Sequence, residues 1–289
     1  MGSLTPHDWR EDRYSFLRWR VLPDPAWSEW WDRIHIDVGI KRRLRAHANF
    51  SLRHRSEYSP VGLPLHGIAL LHGPPGTGKS SLVRGLANVV AQDMLADGFS
   101  DQLIFAEIDP HALPSQMLGE SQRNTLNLLE KAIPELADKG YPLICGIDEI
   151  NSLATSRLLT TGGRDPIDVM RATDAVLRGL DYLAASHPNV YIVGTSNFVA
   201  SLDDALFDRL DVAFEIPLPD VEQISMILSD TFSEFPVVKI DVEELSSLAT
   251  AMVGRSGRDI RKLVLEAVVT RDALPDEPLT ADDLFEVIQ

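Results

Sequence analysis

Residues 73–80 of this 289-residue chain read GPPGTGKS and fill every position of the pattern G-x-x-x-x-G-K-[ST]. Glycines at these spacings let backbone N–H groups turn inward around an anion, and the lysine adds a cation. A helix that begins where the loop ends adds the positive end of its dipole. The segment therefore predicts a triphosphate site, with Lys79 on the β- and γ-phosphates and Ser80 on Mg²⁺. The predicted nucleotide-binding residues of this loop are Pro75, Gly76, Thr77, Gly78, Lys79, Ser80 and Ser81.

A phosphate loop holds its metal ion together with a carboxylate, and two strand-like segments of the chain end in acids. LIFAEID ends at Asp109, whereas LICGIDE ends at the adjacent pair Asp148 and Glu149. Because hydrolysis needs both a metal ligand and a general base, we assign Asp148 to Mg²⁺ and Glu149 as the base. Glu107 and Asp109 are interpreted as solvated acids at a strand end. The adjacent pair favours hydrolysis by water over phosphoryl transfer to a small molecule.

Three further polar residues could act on the γ-phosphate, and each also has an ordinary structural interpretation. Asn197 ends the segment YIVGTSN, where its amide could orient water or only cap the strand. Arg209 in DDALFDRLD could stabilise charge in the transition state or form a surface ion pair. Arg258 in GRSGRD could place a second cation over the phosphates. Alternatively it lies on a solvated helix face, as Arg261 and Lys262 beside it are interpreted.

The strands and helices around these residues must position them. Five short apolar segments predict buried strands: GIALLHG, QLIFAEID, PLICGIDEI, NVYIVGTSN and VAFEIPLP. Segments with helical spacing of apolar residues lie between them, such as SSLVRGLANVVAQDML and VMRATDAVLRGLDYL. Strands that alternate with helices predict an α/β fold with a parallel sheet covered on both faces. Asp148 and Asn197 then fall at strand ends beside the phosphate loop.

The pattern changes after Pro219, where four consecutive segments are predicted to be helical. In SGRDIRKLVLEAVVTRDAL the apolar residues between Ile260 and Val268 share one face, and Ser256 is suited to cap the N-terminus. We therefore expect three parts. They are an N-terminal segment (1–35), a large α/β domain (36–219) and a small all-helical domain (220–289).

Composition limits the classes of partner. The net charge of −16 opposes a nucleic-acid partner, and the basic stretch at residues 41–55 is interpreted as a solvated helix face. The longest apolar runs are far too short to cross a bilayer and the N-terminus has no secretory signal, so a cytoplasmic protein is expected, with no membrane partner. The single cysteine, Cys145, lies in an apolar run and is interpreted as a core residue.

All five tryptophans lie within the first 31 residues, at positions 9, 19, 27, 30 and 31. One interpretation is that the segment DPAWSEWWDRI packs as a cap against the main domain. The other is that it forms a docking surface for a partner or a neighbouring subunit, since tryptophan is favoured at such contacts. The sequence leaves both interpretations open.

Five features follow one another along the chain in an order that resembles that of the AAA+ ATPases. They are the phosphate loop, the Asp-Glu pair, the strand-end Asn, the Arg after an acidic loop and the Gly-Arg of a helical segment. PIDVMRATDAVL and the single-arginine DRLD are similar to the pachytene-checkpoint ATPases, which remodel HORMA-domain proteins. The similarity runs from about Ile36 to the C-terminus. With so short an N-terminal segment, the chain resembles compact members encoded beside HORMA proteins and nucleotidyltransferases in bacterial antiphage (CBASS) operons.

The resemblance implies a P-loop AAA+ αβα sandwich with a five-stranded parallel sheet, followed by a small helical lid domain, and ATP and Mg²⁺ as cofactors. It implies that Asn197 is sensor one and Arg258 sensor two. Arg209 would act on the ATP of a neighbouring subunit, which implies a homo-oligomeric ring, expected to be a hexamer. The implied adenine contacts are Ile36, Val38 and Gly39.

The resemblance also implies a pore loop at Met117, Leu118 and Gly119, within SQMLGES. Methionine and leucine stand there in place of the aromatic pair of the family. Their apolar bulk is suited to gripping a peptide, although the same residues could form a turn that packs into the core.

The leading hypothesis is an ATP-driven ring that threads a segment of a folded client, a HORMA-domain protein bound to a nucleotidyltransferase. Another AAA+ activator, similar to rubisco activase, would use the same mechanism. A nucleic-acid loader has only the basic stretch 41–55 in its favour. A scaffold that binds nucleotide without hydrolysis is opposed by Glu149 and Arg209.

Overall fold

The computed structural model describes residues 10–11, 17–58, 65–109, 120–152, 166–235, 240–271 and 279–288. Its strands are β1 (Arg10–Glu11), β2 (Leu17–Leu22), β3 (Ile68–His72), β4 (Leu103–Ile108), β5 (Leu143–Ile147), β6 (Val190–Ser196) and β7 (Val212–Glu215). They form one sheet in the order β1-β2-β4-β5-β6-β3-β7.

The helices surround this sheet and follow it along the chain. They are α1 (Val38–His54), α2 (Lys79–Ala96), α3 (Glu120–Asn127), α4 (Ile133–Ala137), α5 (Pro166–Ser186), α6 (Asp204–Phe207), α7 (Val221–Ser233), α8 (Val242–Ala251), α9 (Gly257–Arg271) and α10 (Ala281–Ile288). A π-helical turn, Leu128–Ala132, joins α3 to α4. No described helix is both long and apolar enough to cross a membrane.

Strands β4, β5, β6, β3 and β7 are adjacent and parallel, which confirms the predicted five-stranded parallel sheet. Gly194 of β6 lies opposite Leu70 of β3 on one side and Ile147 of β5 on the other. The carboxyl ends of these three strands therefore meet at one edge of the sheet. The segments that follow β3, β5 and β6 carry the phosphate loop, Asp148 and Asn197, so the sheet brings them together.

The sheet also has an antiparallel edge that the sequence analysis did not predict. Strand β2 pairs antiparallel with β4, from Leu17 opposite Ile108 to Leu22 opposite Leu103, and β1 pairs with β2. Leu17 and Val21 face the core, but two arginines interrupt the apolar run between them. The strand is therefore stabilised by the edge of β4 that it covers, a contact that is remote in sequence.

The N-terminal segment continues from β2 across helix α2. Trp27 is buried, stacks on Trp30 with ring centroids 5.4 Å apart, and meets Phe105 edge-on at 5.6 Å. A Cβ atom on Gly85 of α2 would lie 2.8 Å from the backbone nitrogen of Trp31, so the two backbones are in direct contact. The described tryptophans thus pack as a cap on their own domain, and the first tryptophan lies outside the described residues.

Three apolar cores hold the structure together. One lies on each face of the sheet, and Cys145 is fully buried in one of them, as its apolar context predicted. The third lies within α7–α10 and includes Ile224, Leu248 and Ile260. This separate core agrees with the prediction that the chain after residue 219 is helical. The domain limits at 35/36 and 219/220 stay predictions.

The basic stretch at residues 41–55 forms α1 and the turn after it, and most of its cations have partners. Arg45 donates from Nε to Asp93 over 2.8 Å, and Arg53 pairs with Asp97 at 2.6 Å. Arg55 is buried and donates to three backbone carbonyl groups at 2.6, 2.7 and 2.7 Å. Arg45, Arg53 and Arg55 therefore have structural contacts within the fold.

Candidate active site

The phosphate loop directly follows β3 and ends where α2 begins at Lys79. Gly76 has φ of 78° and Gly78 has φ of 90°, in the left-handed region that favours glycine. The ammonium group of Lys79 donates to the carbonyl oxygens of Gly73 and Pro74, at 2.8 and 2.7 Å. Burial lowers the pKa of Lys79. The lysine is therefore held inside the loop, where an anion would meet it.

Asp148 follows β5 and accepts two hydroxyl hydrogen bonds on one oxygen atom. Ser80 Oγ donates to Asp148 Oδ1 over 2.8 Å, and Thr195 Oγ1 donates to the same atom. The backbone N–H of Glu149 in turn donates to Thr195 Oγ1 over 3.1 Å. The hydroxyl of the buried Thr195 thus joins the carboxylate of Asp148 and the backbone N–H of Glu149 to strand β6.

Glu149 has φ of 51°, which is unusual for a residue with a side chain and stores backbone strain. Asn197 donates from Nδ2 to Glu149 Oε1 over 3.1 Å. Glu149 is half-buried and Asn197 is exposed, so water can reach the carboxylate. The two side chains that the sequence assigned to a base and a water-orienting amide therefore lie in direct contact.

The N-terminus of α9 lies on the phosphate loop. The backbone N–H of Arg258 donates to Gly76 O over 3.1 Å. Ser256 caps the helix as predicted, because its Oγ accepts from Asp259 N over 3.2 Å. After burial, the positive charge of Arg258 is among the influences that lower the pKa of Lys79. The helical part thus brings a second cation to the loop.

A cavity open to solvent lies between the phosphate loop and the helical part. Ile36 lines it, whereas Val38 and Gly39 are not among its lining residues, and Val38 is 78% exposed. The assignment of Ile36, Val38 and Gly39 to adenine stays a prediction. The apolar walls that suit a planar base come from Ile34, Ile36, Pro217, Pro219 and Ile227.

The segment before α1 also connects this cavity to the helical part. His35 Nε2 lies 2.6 Å from Asp230 Oδ2 of α7, and Arg261 Nη2 donates to Arg33 O over 3.3 Å. Arg261 lines the cavity, and burial lowers its pKa. The interpretation of Arg261 as a solvated charge is therefore wrong, because the helix face that carries it turns toward the cavity.

Arg209 lies at the other end of the sheet. The backbone N–H of Asp211 donates to the carbonyl of Ile68, the first residue of β3, over 2.9 Å, whereas the phosphate loop follows the last residue of that strand. Four residues of extended chain separate the two ends by roughly 13 Å. Arg209 donates to both carboxylate oxygens of Asp181 of α5, at 2.7 and 2.8 Å. It is therefore remote from the phosphate loop of its own chain.

Two further predictions from the sequence concern Glu107 and the pore loop. Glu107 accepts from Arg18 over 2.7 Å and from Arg84 Nε over 3.0 Å, so its interpretation as a solvated acid is wrong. The covering strand β2 and helix α2 supply these arginines. The predicted pore loop, Met117, Leu118 and Gly119, lies outside the described residues.

Three residues of the site, Thr195 and the cavity residues Ile34 and His35, were not predicted from the sequence. A hydroxyl at a buried strand position, two residues before a candidate catalytic amide, was the available signal for Thr195. For the cavity wall the signal was weaker: two isoleucines, Ile34 and Ile36, flank the polar His35.

Residues 69–218 match the model of the ATPase family associated with various cellular activities (AAA). The chain is 39% identical over 265 residues to CD-NTase-associated protein 6 of Pseudomonas aeruginosa, covering 89% of this chain and 85% of that protein. It is 33% identical over 221 residues to a pachytene checkpoint protein 2 homolog of Oryza sativa subsp. indica, covering 76% of this chain but only 46% of that relative.

Among solved structures, the chain resembles one in the E. coli MS115-1 HORMA:CdnC:Trip13 complex. The TM-score is 0.79 with 19% sequence identity, and the alignment covers 94% of each chain. At this level of identity the likeness establishes a shared fold.

Proposed function

This chain belongs to the AAA ATPase family, in the branch of CD-NTase-associated protein 6 and the pachytene checkpoint proteins, and we propose that it is a ring that uses ATP to remodel a HORMA-domain protein. As a member of that family it is an enzyme that hydrolyses ATP to ADP and phosphate. One observation carries the proposed chemistry. It is the continuous set of hydrogen bonds through Ser80, Asp148, Thr195, Glu149 and Asn197, beside the phosphate loop.

The oxygen atoms at this position are suited to Mg²⁺. Ser80 Oγ and Asp148 Oδ1 lie 2.8 Å apart, and Mg²⁺ prefers oxygen ligands that include water and substrate phosphates. Among the described residues, no group of three or more acidic, histidine or cysteine side chains could hold a metal ion. We therefore expect Mg²⁺ to enter with ATP and to take most of its remaining ligands from phosphate and water.

Each of the other site residues has a proposed part in hydrolysis. Glu149 accepts a proton from the attacking water, and Asn197 holds the carboxylate in position for it. Lys79 and Arg258 supply positive charge beside the phosphates, where negative charge develops in the transition state. When bound, Mg²⁺ would add to this charge stabilisation.

The position of Arg209 supports a ring. Because it lies roughly 13 Å along the sheet from its own phosphate loop, it is poorly placed to reach the ATP bound there. A neighbouring copy that presents its nucleotide to this end of the sheet would bring Arg209 and a γ-phosphate together. We propose that the copies close into a hexamer.

The client is inferred from the relatives. CD-NTase-associated protein 6 is named for its association with a CD-NTase, and one similar structure was solved in a complex of HORMA, CdnC and Trip13. We therefore propose a HORMA-domain client, bound to a nucleotidyltransferase, in antiphage signalling in the bacterial cytoplasm. The proposed pore loop at residues 117–119 would grip a segment of that client.

The direct test uses purified full-length protein, Mg-ATP and the HORMA protein encoded beside it. We expect the closed-to-open ratio of the HORMA protein, measured by ion-exchange chromatography, to change with ATP and to stay constant with ADP. The Glu149→Gln variant should bind ATP without producing the change. An unchanged ratio, despite a measurable ATPase rate of the wild-type protein, would show that the client assignment is wrong.

An unbiased test uses the Glu149→Gln variant to retain a client from host lysate in the presence of ATP, with ADP as the control. Recovery of a HORMA protein only with ATP would support the proposed client. Recovery of DNA-binding proteins, together with stimulation of the ATPase by DNA, would instead support a nucleic-acid loader.

A further inference from the structure

We propose that Asp181 is a positioning residue for Arg209, which it fixes in the orientation needed to meet the ATP of a neighbouring copy. The proposal rests on the proposed function, in which Arg209 acts between subunits. It assigns a role to a side chain on α5, 28 positions before the arginine in the chain.

Asp181 and Arg209 form a bidentate contact, which restricts the orientation of a guanidinium more than a single hydrogen bond does. Arg209 Nε donates to Asp181 Oδ1 over 2.7 Å, and Nη2 donates to Oδ2 over 2.8 Å. Two parallel bonds to one planar carboxylate fix both the direction and the plane of the guanidinium. The hydrogen bond with Asp181 also raises the pKa of Arg209, so the cation is retained.

A third hydrogen bond also holds the guanidinium of Arg209. Arg209 Nη1 donates to the carbonyl oxygen of Ala205, one turn earlier, over 2.7 Å. These contacts use three of the five N–H groups of the guanidinium, and within the described part of the chain the two others remain for a further acceptor. The Arg209 side chain is 23% exposed, so an anion on another molecule can reach it.

The backbone beside Arg209 is anchored independently. The Asp211 carboxylate accepts from the backbone N–H groups of His66 and Gly67, each over 2.7 Å, and from that of Ile68 over 3.2 Å. Its side chain is only 2% exposed. Asp211 therefore fixes the turn to the start of β3, and Asp181 fixes the guanidinium that extends from the turn.

An exposed ion pair of this kind is expected to contribute little to folding stability, since Asp181 is 47% exposed. The ion pair should instead affect the rate of ATP hydrolysis, in the step in which Arg209 stabilises negative charge. A small misplacement of a catalytic group lowers such a rate strongly. Loss of Asp181 is thus expected to lower kcat while KM for ATP and the affinity for ADP stay unchanged.

The test compares the steady-state ATPase of Asp181→Asn, Asp181→Glu, Arg209→Ala and the double variant Asp181→Asn/Arg209→Ala. We expect Asp181→Asn to lower kcat on the order of tenfold, with Asp181→Glu partly restoring it. The double variant should be no slower than Arg209→Ala alone, because Asp181 acts only through the arginine. Asp174→Asn, two turns earlier on α5, is the matched control and should behave as the wild type.

The outcomes separate this proposal from the proposed function. If Arg209→Ala keeps the wild-type rate, catalysis between subunits is wrong and the role of Asp181 is wrong with it. If Arg209→Ala is slow but Asp181→Asn is not, only the positioning role is overturned. A further loss in the double variant, or a lowered melting temperature that accounts for the loss in Asp181→Asn, would show that Asp181 is merely structural and would also overturn the proposal.

Discussion

Asn197 holds the carboxylate of Glu149 by a hydrogen bond of 3.1 Å between Nδ2 and Oε1, although the two residues are 48 positions apart in the chain. The bond joins the segments that follow β5 and β6. Glu149 has a left-handed backbone conformation, and its N–H donates to Thr195, so both its main chain and its side chain are fixed from β6 and the segment after it. Residues of the same chain therefore orient Glu149, the proposed general base.

Replacing Asn197 tests whether this orientation matters for hydrolysis. We expect Asn197→Ala to lower kcat by roughly 10- to 100-fold, because the carboxylate loses the donor that aims it. The affinity for ADP, measured with a fluorescent analogue, should change less than about twofold, because Asn197 does not belong to the phosphate loop. A proportional loss of ADP affinity would mean that Asn197 contributes to nucleotide binding instead.

The Thr195 hydroxyl provides a second test of the same network. Thr195→Val keeps the shape of the side chain but removes the donor to Asp148 and the acceptor for the N–H of Glu149. We expect a fall in kcat on the order of tenfold and a requirement for more Mg²⁺, because both acids lose a partner. Thr195→Ser keeps the hydroxyl and is expected to restore most of the rate.

Unchanged Mg²⁺ dependence and kcat in Thr195→Val would show that the hydroxyl only stabilises the strand. A melting temperature measured in parallel separates that case from a partly unfolded variant.

The sequence predicted the parts of this site that depend on short segments. The phosphate loop and the acid pair are local motifs, and the five parallel strands are continuous apolar runs between helices, so their order along the chain was sufficient. The bridging role of Thr195 could not be predicted in the same way. It depends on β6 lying between β3 and β5, and that order is set by packing of the whole sheet.

Contacts that are remote in sequence account for most of the remaining differences. The segment DDALFDRLD allowed a surface ion pair for Arg209, and the structure contains one, but the sequence could not show that its partner is Asp181 on α5. Glu107 likewise received partners from a strand and a helix that the sequence could not place beside it. Charged side chains carry no periodic signal for their partners, so a sequence pattern alone cannot assign them.

Gly76 is expected to be essential for the contact between the phosphate loop and the helical part. Its φ is 78°, and a Cβ atom there would lie 2.3 Å from Ser256 Oγ. We expect Gly76→Ala to weaken ATP and ADP binding by about tenfold or more, because strain and the clash both displace the N-terminus of α9. Isothermal titration with each nucleotide gives the measurement.

Gly98 offers a matched control for the strain alone. Its φ is 74°, but a Cβ atom would meet no atom within 4 Å. Gly98→Ala should lower the free energy of unfolding by about 1 kcal/mol and leave nucleotide affinity unchanged. Equal affinities for the two variants would contradict the role of the contact with Ser256.

The half-buried His47 is expected to make folding stability depend on pH. Its Nδ1 lies 2.9 Å from the hydroxyl of the fully buried Tyr191. Burial lowers the pKa of His47 below its ordinary value of 6.5, an effect that the charge of Asp211 only partly offsets. The folded protein therefore favours the neutral imidazole, and the unfolded chain binds more protons as the pH falls below 6.5.

Stability should consequently be highest above pH 6.5 and fall as the pH decreases from there to the lowered pKa, below which this contribution is constant. His47→Gln keeps a neutral hydrogen-bonding side chain that does not titrate, so it should lose less stability than the wild type between about pH 7.5 and 5.5. Urea unfolding at the two pH values measures the difference. A loss of stability in His47→Gln that matches that of the wild type would assign the effect to other groups.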